Sequence, residues 1–186
     1  MHTLLLDTDG HIWGAGAKPY AGFPSDSAGR ALEEQNQFML IPDLKKQTFL
    51  HISSGEFHNL AVSTNLQVFG WGKTDYGKLA QETLISMDGE SKIRNVLLPK
   101  RIEKLEQIAY ASAGVNHSTC VNVEGDAFVW GNVLMGRLGI SRDDIKLLKN
   151  LKKITNALNV LSLHIPHKLQ AFFEEGKIIV KCNVNI

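Results

Sequence analysis

Apolar and polar residues alternate with a period of two over short stretches of this chain, and each stretch ends at a turn signal, the pattern of half-buried β-strands. Residues 55–72, "GEFHNLAVSTNLQVFGWG", show it clearly: an alternating run, the turn pair Thr64-Asn65, and a second run ending in aromatic and glycine residues. Residues 114–131, "GVNHSTCVNVEGDAFVWG", have the same layout without a gap, with Glu124-Gly125 at the turn. The first residues give a third copy, "TLLL" leading through Asp9-Gly10 into "HIWGAG". Each copy predicts a hairpin closed by a tight turn with positive backbone angles.

The spacing is constant. His2 to Gly16, His58 to Gly72 and His117 to Gly131 are each 14 positions apart, which defines repeat hairpins at 2–16, 58–72 and 117–131. Upstream of the hairpins a proline, an apolar stretch and a small-residue strand recur in order: "IPDLKKQTFLHISSG", "LPKRIEKLEQIAYASAG" and "IPHKLQAFFEEGKIIVKCN". Gly55 matches Gly114 ahead of the histidines, and Trp71 matches Trp130 ahead of the closing glycines. Downstream, Gly77 and Leu79 match Gly136 and Leu138, while the first copy has Ala21 and Phe23 at those offsets.

A period of about 60 residues with four short strands is the size of a propeller blade, and the small residues in "SSG" and "ASAG" suit strands that converge on a central axis. The expected fold is therefore all-β, a partial β-propeller of about three four-stranded blades forming one domain over residues 1–186. Three inserts interrupt it. Residues 17–40 contain a short helix-compatible patch, "RALEEQNQF", and residues 81–95 are polar. Residues 141–161 predict a helical insertion near 142–161: Ser141 caps it, Asp143 and Asp144 favour its positive end, and Ile145, Leu148, Leu151 and Ile154 form an apolar stripe. Lys146, Lys149, Lys152 and Lys153 crowd its other side as candidate partner-binding residues.

The motifs resemble the regulator-of-chromosome-condensation repeat, which runs G-x-x-H-[TS]-x-x-[LV], then G-x-[VI]-[YFW]-x-W-G, then G-x-L-G. His2, Gly16, Gly55, His58, Trp71, Gly72, Gly77, Leu79, Gly114, His117, Trp130, Gly131, Gly136 and Leu138 carry the resemblance. The first copy departs from it, with Ala15 at the tryptophan position and Trp13 at the aromatic position before it. The resemblance implies a seven-bladed propeller of four-stranded blades that serves as a rigid binding platform. It implies protein partners, small GTPases among them, and places other members in ciliary, chromatin, ubiquitin-ligase or kinase assemblies. Nucleotide exchange on a small GTPase is the alternative function, and chromatin binding a weaker one.

Composition narrows the chemistry. A formal net charge of +1 gives no global reason to expect nucleic acid. Cys120 and Cys182 sit in apolar strand-like runs, which reads as two buried thiols of a reducing, intracellular compartment, and no run approaches a membrane span. No phosphate loop, zinc spacing, nucleophile elbow or paired-carboxylate motif occurs, so neither a catalytic site nor a cofactor or metal is expected, and Asp7, Asp9 and Asp26 read as turn or surface residues. The equivalent His2, His58 and His117 read as blade-building groups that bond backbone of their own or a neighbouring blade, and the tryptophans as rings between blades whose N–H finds a carbonyl.

Three periods do not close a ring. "VKCNVNI" aligns with "ASAGVNH", so the last strand is expected to supply what precedes His2 in a blade. Further blades are expected from a longer chain, a second chain, or a second copy in a three-plus-three arrangement.

Overall fold

The computed structural model describes residues 1–24, 34–80, 96–103, 105–140, 162–174 and 177–182, the last two stretches as backbone. Among the described residues twelve strands form three antiparallel sheets. The first contains β1 (His2–Leu6), β2 (Ile12–Ala17) and β3 (Glu34–Leu40); the second β4 (Phe49–Ser54), β5 (His58–Ser63), β6 (Val68–Gly72) and β7 (Val96–Arg101). The third contains β8 (Ile108–Ala113), β9 (His117–Asn122), β10 (Ala127–Asn132), β11 (Ser162–Glu174) and β12 (Lys177–Cys182). Within each sheet the strands are paired in chain order, the meander of a propeller blade.

The constant 14-residue spacing has a direct cause. His2 pairs with Gly16, His58 with Gly72 and Gly131 with His117, so each histidine and its glycine face one another at the open end of a hairpin. The residue after the glycine then closes the ladder on the residue before the histidine: Ala17 N–H donates to the Met1 carbonyl, Lys73 to Phe57 and Asn132 to Asn116, at 2.8–2.9 Å. Gly72 has φ +112°, and a Cβ there would overlap the Phe57 carbonyl and the His58 Cα, so only glycine fits. Opposite Ala15, Trp71 and Trp130 the outer strand gains two residues, since Gly14 pairs with Met39 but Gly16 with Gln35, and the same step recurs at Gly70/Gly72 and Val129/Gly131. Pro99 lies inside one of these irregular steps, where a missing N–H costs no ladder bond.

The hairpin turns differ from the two-residue form that the turn pairs suggest. Asp7 N–H donates to the His11 carbonyl and Gly10 N–H to the Asp7 carbonyl, leaving a three-residue loop with Gly10 in the left-handed region at φ +84°. Gly125 takes the same place at φ +87°. In the second copy that place falls on Leu66, at φ +59°, and not on Thr64-Asn65. Asp7, Ser63 and Asn122 open the three loops, and the side chain of each accepts from the backbone N–H four residues on, at His11, Gln67 and Asp126.

Alternation sends one set of side chains to each blade boundary. Leu4 and Ile12 of the first sheet meet Ala61, Phe69 and Trp71 of the second, with Ile41, Leu44 and Phe49 closing the layer. Leu60, Val62 and Val68 of the second meet Ala111, Cys120 and Trp130 of the third, with Leu79, Ile102 and Ile108. Gly77 and Leu79 are buried beside this second layer, and Leu138 is buried in the third blade. Cys120 is buried as expected, and burial pushes its thiol up to about 12.

Three expectations need correction or fall outside the structure. The part of "RALEEQNQF" that is described, from Glu34 on, is not helical but belongs to β3, because β2 offers it an open edge; the helix of this insert is the single turn α1 (Lys18–Ala21). The last strand, β12, does not stand apart as an innermost strand awaiting another hairpin: it pairs with β11, Leu169 opposite Cys182 and Glu174 opposite Lys177. With two residues between them, this local closure costs little chain entropy. The sheets accordingly have three, four and five strands where four each are expected. The helical insertion near 142–161 with Lys146, Lys149, Lys152 and Lys153, and the insert 81–95, lie outside the described residues.

Candidate functional site

The repeat histidines lie where two blades meet, and each is held by a group the repeat places in the next blade. His58 Nε2 is 2.8 Å from Ser118 Oγ, the Ser118 hydroxyl lies 2.7 Å from the Lys78 carbonyl, and the Trp130 indole N–H reaches the same carbonyl at 2.8 Å. The arrangement recurs one blade earlier. His2 Nε2 is 2.6 Å from Asn59 Oδ1, Asn59 Nδ2 donates to the Tyr20 carbonyl at 2.6 Å, and Trp71 Nε1 donates to that carbonyl at 3.1 Å.

Proton counting fixes the tautomers. Ser118 has one hydroxyl proton and gives it to a carbonyl, which cannot donate, so Ser118 accepts from His58 Nε2–H. Asn59 commits its amide N–H to Tyr20 and accepts His2 Nε2–H through its oxygen. Each Nδ1 is then a bare acceptor, buried and unpartnered. A Cβ on Gly55 would press on the His58 ring and the Gly114 carbonyl, and one on Gly114 would overlap the His117 ring, so the glycine of G-x-x-H makes room for imidazole. Burial, then the nearby Lys78 cation, pulls His58 down to about 3. His2 and His117 are lowered in the same direction, again chiefly by desolvation. A base held neutral with its one N–H committed to a neighbouring blade is a structural strut.

His117 begins the same pattern on the third blade, facing away from the second with Thr119 and Val129, and Trp13 departs from it. With Ala15 at the indole position, Trp13 donates its N–H instead to Asp7 Oδ2 at 2.8 Å, and this bond, with the backbone N–H of His11, lowers the Asp7 carboxyl. Asn59, Ser118 and the accepting carbonyls of Tyr20 and Lys78 were missed by sequence reasoning; the signal was the polar residue that follows each repeat histidine. The Lys78 side chain, buried with its ammonium 3.2 Å from Asn116 Oδ1 and 3.8 Å from Asp75, gave no such signal.

The topology separates charge between the two ends of the blades. The end that holds the G-x-x-H loops carries Lys18, Lys73, Lys78 and Arg137 against Glu56 and Asp75. The opposite end, at the hairpin loops, carries Asp7, Asp9, Glu103, Glu106, Glu124 and Asp126, with Lys45, Lys46 and Arg101. At the first end Lys73 Nζ sits 4.3 Å from the centre of the Phe57 ring, which in turn packs on Tyr20. Among the described residues no three His, Cys, Asp or Glu side chains converge as metal ligands, and no helix is long and apolar enough to cross a membrane.

Residues 67–121 match the family model of the regulator of chromosome condensation (RCC1) repeat. The chain belongs to the RCC1-repeat family. It is 29% identical over 169 residues to the probable E3 ubiquitin-protein ligase HERC6 of Homo sapiens, covering 87% of this chain and 15% of that protein. It is 30% identical to protein RCC1 of Candida albicans, covering 81% of this chain and 32% of that one. Among solved structures, Prp20p of Saccharomyces cerevisiae superposes with a TM-score of 0.66 at 18% identity, over 91% of this chain and 34% of that chain. Human WBSCR16 does so at 0.62 and 19%, over 91% and 35%. The fold is that of an RCC1-type β-propeller, and the chain spans about a third or less of the length of each of these proteins.

Proposed function

We propose that this chain is a non-catalytic protein-binding module, a rigid set of RCC1-type blades whose loops at the two ends contact protein partners. The observation that carries the reading is the pair of matched struts, His2–Asn59–Tyr20–Trp71 and His58–Ser118–Lys78–Trp130: the most buried polar groups of the repeat serve to hold blade to blade. Rigid elements with variable, oppositely charged loop ends suit recognition. The kinship with Prp20p, whose structure was described with its binding to Gsp1p and histones, supports a protein partner of the small-GTPase kind. HERC6 shows the same repeats within a longer protein, which supports a larger assembly as the setting.

Nucleotide exchange is the second reading, favoured by the similarity to protein RCC1. Exchange works by stabilising a nucleotide-free GTPase, so it requires binding but no reacting side chain. One experiment separates the two: release of fluorescent GDP from a panel of small GTPases, followed with and without the full chain. Saturable binding without faster release is expected, and clear acceleration at micromolar protein would replace the module reading with the exchange reading.

A further inference from the structure

The turns that follow the closing glycines carry an unexplained expense. Four residues past Gly72 stands Tyr76 with φ +59°, and four past Gly131 stands Met135 with φ +62°. Both lie in the left-handed region, which costs an L residue about 1–2 kcal/mol and glycine almost nothing. The same turns put glycine at the next position, Gly77 at φ +71° and Gly136 at φ +68°. Tyr76 is 42% exposed and Met135 93% exposed, so neither side chain is repaid by full burial in this fold, and Met135 packs on almost nothing. Val115, 52% exposed, and Leu134, 42% exposed, stand at the same end of the third blade.

That end is also the basic one. Setting aside the paired Lys78 and Asp75, it presents Lys18, Lys73 and Arg137 against Glu56 among the described residues. Strained backbone that displays apolar side chains toward solvent marks a contact surface more readily than a packing error.

We infer that the end of the blades bearing Tyr76 and Met135 is a docking surface for an acidic protein segment with an apolar anchor. Met135, Leu134 and Tyr76 take the anchor, and Lys73 and Arg137 face the carboxylates around it. The inference rests on the reading of the chain as a binding module, and it adds which end binds and what chemistry the partner has.

The test uses the full chain and the double variant Tyr76→Gly/Met135→Gly. Glycine relieves the left-handed strain at both places, so the variant is expected to melt at the same temperature as the parent or higher. The probe is a fluorescein-labelled synthetic peptide of Asp and Glu residues around one Leu and one Phe. Its controls are the same peptide with Lys in place of the acids, and phosphatidylserine/phosphatidylcholine vesicles. Saturable binding of the acidic peptide is expected, weakened by salt and about tenfold or more weaker in the double variant. No binding of the acidic peptide, equal binding to the variant, equal binding of the lysine peptide, or binding to vesicles alone would each overturn the assignment. If protein partners are captured equally by parent and variant, this surface is refuted while the binding-module reading stands.

Discussion

His58 donates its Nε2–H across a blade boundary to Ser118, 60 residues away in sequence and 2.8 Å away in space. The bond leaves Nδ1 buried without a partner, so protonation of His58 must put a charge and an unsatisfied N–H into a dry site.

The protein therefore loses stability in acid. His58 is held at about 3, below the usual 6.5 it regains on unfolding, so between these values the unfolded chain binds the extra proton. The stabilising term is fully present above pH 6.5 and is lost as the pH falls toward 3. Burial also lowers His2 and His117, which adds to the slope in the same direction. Urea denaturation from pH 8 to pH 4 should show stability flat above about 7 and falling below it, by up to about 1.4 kcal/mol per pH unit for each fully titrating group. A midpoint unchanged between pH 7 and pH 4.5 would contradict the strut.

Deleting either partner of the strut should cost stability without removing a reaction. His58→Ala leaves the Ser118 oxygen one donor short and opens a cavity, and Ser118→Ala strands His58 Nε2–H; each should cost about 1–3 kcal/mol. Because they share one bond, the double variant should cost clearly less than the sum, a coupling of about 0.5–3 kcal/mol by chemical denaturation. Additive losses would show that the two residues act independently.

Trp130 separates packing from hydrogen bonding. Trp130→Phe keeps most of the ring but takes one of two donors from the Lys78 carbonyl, for a loss of about 0.5–1.5 kcal/mol beyond the volume change. Trp130→Ala empties the boundary layer with Leu79 and Ile102 and should cost about 3–5 kcal/mol. Equal thermal shifts for the two variants would mean that the indole is not held as described.

Leu66 occupies the left-handed loop position that Gly10 and Gly125 fill in the other hairpins. Leu66→Gly should therefore stabilise the protein by about 0.5–1 kcal/mol. Gly125→Ala should destabilise it by about 1–2 kcal/mol, since an added Cβ there meets no atom within 4 Å and the cost is backbone strain alone. Melting temperatures moving in the same direction for both would refute the shared turn geometry.

Gly72→Ala should be far more damaging than Gly136→Ala. At Gly72 a Cβ collides with backbone of the adjacent strand, whereas at Gly136 it enters open space. A loss above about 3 kcal/mol is expected at the first and about 1–2 kcal/mol at the second, both by chemical denaturation.

The sequence by itself determined the hairpins, their register and their repetition, because those depend on alternation, on residues that turn a chain locally, and on the equal spacing of His58 to Gly72 and His117 to Gly131. It also placed Trp71, Trp130 and Leu79 in the core, since an apolar residue at a repeated position has one face to bury. Leu66 was misread because Asn65 offers better turn chemistry, and loop length, set by the strand register, overrode residue preference. The struts belong to the tertiary structure: Ser118 meets His58 only once two sheets have packed, and no local pattern states that distance. The same holds for Lys78, whose cation is buried because Asn116 and Asp75 happen to stand within reach. A net charge of +1 gave no hint of polarity, yet the antiparallel meander carries alternate loops to opposite ends and so sorts basic residues to one and acidic residues to the other. β12 pairs with β11 for a related reason: once the sheet exists, its open edge is the nearest unsatisfied hydrogen-bonding partner.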